Sequence, residues 1–315
     1  MKIFIVGNSP LSFFITRALD QSLARHAHVS VHYITADKEL YYLPHLKFFK
    51  PLKTVNKKKS LPHSLVTYDR IKSVSLKSRR IVTEATVYTY DLIVFDQTPW
   101  YSLSELKEME KSLQTLLLQL RTNAEQQAAA VRLAAEGVSA WQVAASIKQW
   151  LLEAKNGSIR VEVEKIKDQL VESFLREAGV ALSQSTLAGF HIAAPQPLIS
   201  TSLIKGLPID AKGRAIIDAH GLVKGSKNVL VIDSSTRTLR NLYRAEKTLA
   251  DEIKQQIVAL ESGQAPKVLQ RQLAAFLLRS RRDLVLQFGP TKSSRFRAKI
   301  TAHLDEKFWQ SLSAR

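Results

Sequence analysis

The chain begins Met1-Lys2-Ile3-Phe4-Ile5-Val6-Gly7-Asn8-Ser9-Pro10-Leu11-Ser12, and this stretch decides how the rest is read. An apolar run of strand length ends at a glycine, and helical apolar spacing follows at once through Phe14, Ile15, Ala18 and Leu19 as far as Leu23. Val29-Ser30-Val31-His32-Tyr33-Ile34 then alternates, is rich in β-branched residues and ends in Thr35-Ala36-Asp37. Strand, glycine turn, helix and strand form the opening of a βαβ unit, which predicts an α/β protein built on parallel sheets.

Outward from this unit, residues 40–63 read as loop, with Pro44, Pro51, Pro62 and the basic run Lys57-Lys58-Lys59. Val66–Leu76 and Arg80–Tyr88 read as strands. Tyr90-Asp91-Leu92-Ile93-Val94-Phe95 carries the continuous apolar pattern of a parallel strand buried on both faces. Leu103–Glu153 reads as helical, with an interruption at Gly137. After the Asn156-Gly157 turn, residues 159–164 alternate as a strand and Ile166–Ala178 has amphipathic helical spacing. The stretch 183–208 reads as irregular, Asp210–Arg214 as a turn, Asn228–Ile232 as a buried strand, and Leu239–Leu260 as a long helix ending near Gly263. A faint repeat accompanies this order: Gly7 stands 28 residues before Thr35, and Ala135 stands 28 before Val163. Residues 124–153 therefore read equally well as a second glycine-turn unit or as one helix broken at a glycine.

The length of 315 residues has room for about two domains, and 45% hydrophobic with 23% charged residues is an ordinary globular balance. No window resembles a membrane span, and the N-terminal apolar run is too short for a secretory signal, so a cytoplasmic location is expected. Cysteine is absent, which excludes disulfides, thiolate metal sites and dithiol redox chemistry. The eight histidines show no metal-ligand spacing, and a G-x-S-x-G elbow is missing. A formal charge of +18 predicts attraction to polyanions, either nucleic acid or an anionic membrane. The basic C-terminal region, where Arg279, Arg281 and Arg282 alternate with Phe276, Leu284 and Phe288, suits the inner face of a membrane, RNA phosphates or simple packing on the body.

The order and spacing of these pieces resemble the FAD-dependent pyridine-nucleotide oxidoreductases, in particular the type II NADH:quinone dehydrogenases, over residues 1–265. The resemblance implies two Rossmann-like FAD/NAD(P)-binding βαβ domains, the second inserted in the first. Residues 1–122 and 200–262 would form the FAD domain, 123–199 the NAD(P) domain, and 263–315 a basic helical tail. It also implies FAD held by Gly7, Asn8, Ser9 and Ser12, which lie where the family has G-x-G-x-x-G, and by Asp37 near the end of the second strand. Asp233 and Ser234 lie where the family's Gly-Asp closes the flavin site. Gly137 matches the middle glycine of the NADH motif, and Glu164 falls where a ribose-binding acid would favour NADH over NADPH.

Departures from the family accompany every match. Ser9 and Ser12 replace glycines, and Asp96-Gln97-Thr98 replaces Ala-Thr-Gly, putting a carboxylate beside the place of a pyrophosphate, where it is repulsive. Three functions stay open at this point. The first is a flavoenzyme passing hydride from NADH to a quinone-like acceptor, and the second a pseudoenzyme that keeps the fold as a nucleotide- or partner-binding scaffold. The third is a cationic membrane- or nucleic-acid-associated protein. A homodimer is compatible with each.

Overall fold

A computed structural model describes residues 1–24, 28–42, 53–98, 130–134, 160–164, 179–183, 190–193, 204–211, 213–218, 221–232 and 239–263, with scattered positions elsewhere. Strand β1 (Lys2–Val6) leads through helix α1 (Pro10–Leu23) to β2 (Ser30–Thr35). A hairpin of β3 (Glu39–Tyr42) and β4 (Lys53–Asn56) precedes β5 (Leu65–Tyr68). An antiparallel meander follows, made of β6 (Ile71–Ser75), β7 (Arg80–Thr83) and β8 (Val87–Thr89), and then β9 (Leu92–Asp96). Next come β10 (Ala130–Ala134), β11 (Arg160–Glu164), β12 (Val180–Ser183) and β13 (Phe190–Ala193). The chain closes through β14 (Val229–Ile232) and α2 (Leu239–Ser262).

Two parallel sheets organise these strands. The first has the order β14-β9-β1-β2-β5, so its strands, counted in order of appearance, run 5-4-1-2-3. From the other edge this is the 3-2-1-4-5 part of the dinucleotide-binding order 3-2-1-4-5-6, with the reversal between β1 and β9. The second sheet, β12-β11-β10-β13, repeats the reversal beside β10. Its four strands all fall between β9 and β14 in the chain, so the second unit is nested within the first.

Why the central strands read as unbroken apolar runs follows from the two-residue period of a strand, since both faces of the first sheet are covered. Ile3 and Ile5, Leu92 and Val94, and Leu230 and Ile232 face a core shared with Leu11, Phe14 and Ile15 of α1 and Ile253 and Ile257 of α2. Phe4 and Val6, Ile93 and Phe95, and Val229 and Val231 face the opposite core with Val74 and Ile81 of the meander and with Ile204, Ala215 and Val223. The chain returning from the second unit joins the meander there, as Val74 N–H donates to Lys205 O over 2.9 Å and Lys205 N–H donates to Lys72 O over 3.0 Å.

One acid on α2 opposes this packing. A carboxylate oxygen of Glu252 is buried with no hydrogen-bond partner among the described residues, and burial pushes the group's pKa up to about 7. A raised carboxylate pKa means that the folded state holds a proton the unfolded state releases, so stability falls as pH rises from 4.5 through 7. Glu252→Gln is therefore expected to unfold at higher temperature than the native chain at pH 8 and at the same temperature near pH 4.5. A melting difference independent of pH would refute this.

The structure corrects several sequence expectations. Residues 40–63 are not all loop, since β3 and β4 pair antiparallel from Glu39↔Asn56 to Tyr42↔Lys53, and the prolines at 44 and 51 fall between two very short strands. Val66–Leu76 is two strands, because the Asp69 carboxylate accepts the N–H groups of Arg70, Glu84 and Ala85 and turns the chain out of the parallel sheet. Arg80–Tyr88 is likewise two strands, tied at Thr83, whose hydroxyl donates to Thr86 O over 2.8 Å. Strand β10 lies inside the stretch expected to be helical. Ala-Val-Arg-Leu-Ala is rich in helix formers, but pairing with β11 on one side and β13 on the other overrides propensity. This overturns the reading of residues 124–153 as one broken helix, while the turn at Gly137 lies outside the described residues. Strand β13 likewise interrupts the stretch expected to be irregular between 183 and 208.

Candidate functional site: the head of the first helix

Strand-order reversal sets the C-terminal ends of β1 and β9 side by side, the crevice where open α/β sheets bind ligands. Gly7 leaves β1 there, and Ser9 caps α1 in extended conformation (φ −73°, ψ 160°), its Oγ accepting from Leu11 N–H over 3.0 Å. Pro10 starts the helix, where its missing N–H costs nothing. Free amides and the helix dipole make such a terminus attractive to an anion.

The anion found there belongs to the chain itself. Asp96, the last residue of β9, is 2% exposed. Its Oδ2 accepts from Ser12 N–H over 3.1 Å and from the Ser9 hydroxyl, while its Oδ1 accepts from Thr98 N–H over 2.9 Å. Burial pushes the carboxyl's pKa up, although the bonds from Ser9, Thr98 and Ser12 pull the other way.

Above Gly7 the space is taken. A Cβ built on this glycine would lie 2.7 Å from the Asp96 Cβ and 2.8 Å from the Ser12 Oγ. In a glycine motif, that space lets backbone approach a pyrophosphate. Ser12 Oγ donates to Ser9 O over 2.9 Å and lies 3.4 Å from the Tyr33 hydroxyl, which donates to Gly7 O over 3.0 Å. Tyr33 is fully buried, and burial raises its hydroxyl pKa well above the ordinary value.

The end of β2 is also occupied from within. Asn8 Oδ1 accepts from the Thr35 hydroxyl and from Ala36 N–H, both over 2.8 Å. Lys57, fully buried, donates from Nζ to Thr35 Oγ1 over 2.7 Å and stands 5.6 Å from the Tyr33 ring centroid. Burial lowers the amine's pKa to about 7, against the upward pull of the Asp37 and Asp96 carboxylates. Gln97, which follows Asp96 in the chain, joins the turn to the rest of the first unit, as its N–H donates to Ile232 O over 2.9 Å and its Oε1 accepts from Ala215 N–H over 3.0 Å.

Of the residues singled out from the sequence, Gly7, Asn8, Ser9 and Ser12 meet around the head of α1. Asp37 lies two residues past the end of β2, half-buried, so the strand does end before it. Glu164 is the last residue of β11, in register with Ser183. Gly137, Asp233, Ser234 and nearly all of the basic tail lie outside the described residues. Sequence reasoning missed Lys57 and Tyr33. Lys57 sat unmarked in a run whose other members, Lys58 and Lys59, are exposed, and Tyr33 was one more apolar position in a strand. Among the described residues no group of His, Cys, Asp and Glu could hold a metal, and no helix is long and apolar enough to cross a membrane.

No protein-family model matches the chain, and no curated protein matches it. Solved structures do. The sulfide:quinone oxidoreductase of the hyperthermophilic bacterium Aquifex aeolicus superposes with a TM-score of 0.62 at 13% identity, over 82% of this chain and 77% of that one. A chain of the Tetrahymena thermophila mitochondrial ATP synthase superposes with a TM-score of 0.60 at 11% identity, over 85% of this chain and 81% of that one. The protein Fdr9 gives 0.54 at 13% identity, over 80% and 74%. At such identities the likeness is one of fold. The chain has the Rossmann-like fold, of FAD/NAD(P)-binding type, that these structures share. Its two nested parallel sheets, each with the order reversal, are the parts that define this class.

Proposed function

We propose that this chain is a non-catalytic member of the oxidoreductase fold, a scaffold that binds partners rather than flavin. The observation that carries this reading is the Asp96 carboxylate at the head of α1, in hydrogen bonds with Ser9, Ser12 and Thr98. FAD does not fit these residues. Its pyrophosphate would need the helix amide of Ser12 that Asp96 takes and the space over Gly7 that Asp96 and Ser12 fill, and it would meet a like charge in a buried site. Hydride transfer in this fold is the flavin's own chemistry, with the protein supplying position, so a chain without flavin has no route to it.

One observation favours a scaffold over a relic: a chain of this fold stands within the Tetrahymena thermophila mitochondrial ATP synthase structure, a multisubunit particle. A formal charge of +18 suits a partner with an anionic surface, whether protein, nucleic acid or lipid. The test is the visible spectrum of the purified chain, before and after incubation with FAD, followed by NADH oxidation with a soluble quinone. A colourless protein that does not take up FAD is expected. A yellow one that passes electrons from NADH to quinone would overturn the scaffold in favour of a type II NADH dehydrogenase-like activity.

A further inference from the structure

We infer that the chain carries a built-in substitute for a nucleotide: the Asp96 carboxylate takes the place of a diphosphate at α1, and the Lys57 amine takes that of a ribose hydroxyl at the end of β2. This inference rests on the flavin-free reading and says what replaced the cofactor.

Donors and acceptors match at both ends. A dinucleotide brings acceptor oxygens to the helix head and donor hydroxyls to the end of the second strand. Here the helix head keeps its donors, Ser12 N–H and the Ser9 hydroxyl, and Asp96 brings the acceptor oxygens. The end of β2 keeps an acceptor, Thr35 Oγ1, and Lys57 brings the donor over 2.7 Å. Both intruding groups come from outside the βαβ unit, one from the tip of β9 and one from just beyond β4, and both are buried. Asp96 and Lys57 also attract one another, as the phosphate of a nucleotide and a basic side chain would. Glycine is required at position 7 for the same reason, since any side chain there would collide with the Cβ of the intruding aspartate.

If Asp96 is an occupant, removing it leaves an anion site with its donors intact and a buried amine nearby. The experiment measures binding of inorganic pyrophosphate, by calorimetry and by thermal shift, to the full native chain and to its Asp96→Ala and Asp96→Asn variants. Asp96→Ala removes both charge and bulk, and Asp96→Asn keeps the bulk while removing the charge. Pyrophosphate is expected to bind Asp96→Ala at least about tenfold more tightly than the native chain and to raise its melting temperature, with the gain fading as salt rises. Asp96→Asn should bind less tightly than Asp96→Ala but more tightly than native. An Asp96→Ala chain that folds only when pyrophosphate is present would also support the inference. It is overturned if native and variant chains bind alike, or if the folded variants gain nothing. Because the FAD spectrum of the native chain is read separately, a colourless native protein with unresponsive variants sinks this inference and leaves the scaffold reading standing.

Discussion

Replacing Gly206 with alanine is expected to cost more than about 4 kcal/mol, the largest single loss foreseen in the chain. Gly206 has φ +89°, and a Cβ placed there would stand 2.1 Å from the carbonyl oxygen of Val74. Neither group can withdraw cheaply. The neighbouring Val74 N–H and Lys205 N–H both donate across this junction, to Lys205 O and Lys72 O respectively, and a shift that relieves the clash breaks the pairing that brings the chain back onto β6. Gly225 separates the two causes. Its φ is +85°, but nothing lies within 4 Å of an added Cβ, so Gly225→Ala should lose only the cost of the left-handed backbone, about 1–2 kcal/mol. Denaturant unfolding of both variants checks this, and equal losses would show that the steric contact is not what matters at Gly206.

The second large effect concerns Lys57. Its pKa falls from 10.5 to about 7 on folding, so between these values the unfolded chain binds a proton that the folded chain does not. Stability therefore rises with pH across this window, and the full penalty, roughly 5 kcal/mol, applies at and below pH 7. Lys57→Met, which fills the same space without a charge, should lose this dependence. Its advantage over the native chain should be greatest below pH 7 and shrink toward pH 10, reduced throughout by the lost Thr35 hydrogen bond and Tyr33 contact. Unfolding free energies compared from pH 6 to pH 10 would decide. A difference that does not vary with pH would mean that Lys57 keeps its proton when folded.

Both residues show where sequence reading stops. Near Gly206 the turn at Asp210–Arg214 was legible, but the demand for glycine comes from a carbonyl more than a hundred residues earlier in the chain. At Lys57 the run of three lysines looked like one solvated stretch, yet only its first member is buried. Asp96 was legible in part. Its position in a turn that should hold Ala showed a repulsive charge, but not that the charge would itself bind the helix. Short strands were lost for a related reason, as in β10 and β13, where four or five residues carry too weak a periodicity to outweigh helix-forming or turn-forming composition.

By itself the sequence determined the α/β class, the βαβ opening at Gly7 and the buried strands at β1, β2, β9 and β14. Each of those is local, because apolar runs and a glycine before a helical pattern report on their own burial and turn. Only the tertiary structure decided what stands at the head of α1. The carboxylate of Asp96 reaches it from the tip of β9, the amine of Lys57 reaches the end of β2 from beyond β4, and which groups meet at these two places depends on the 5-4-1-2-3 strand order and on the packing that withdraws them from water.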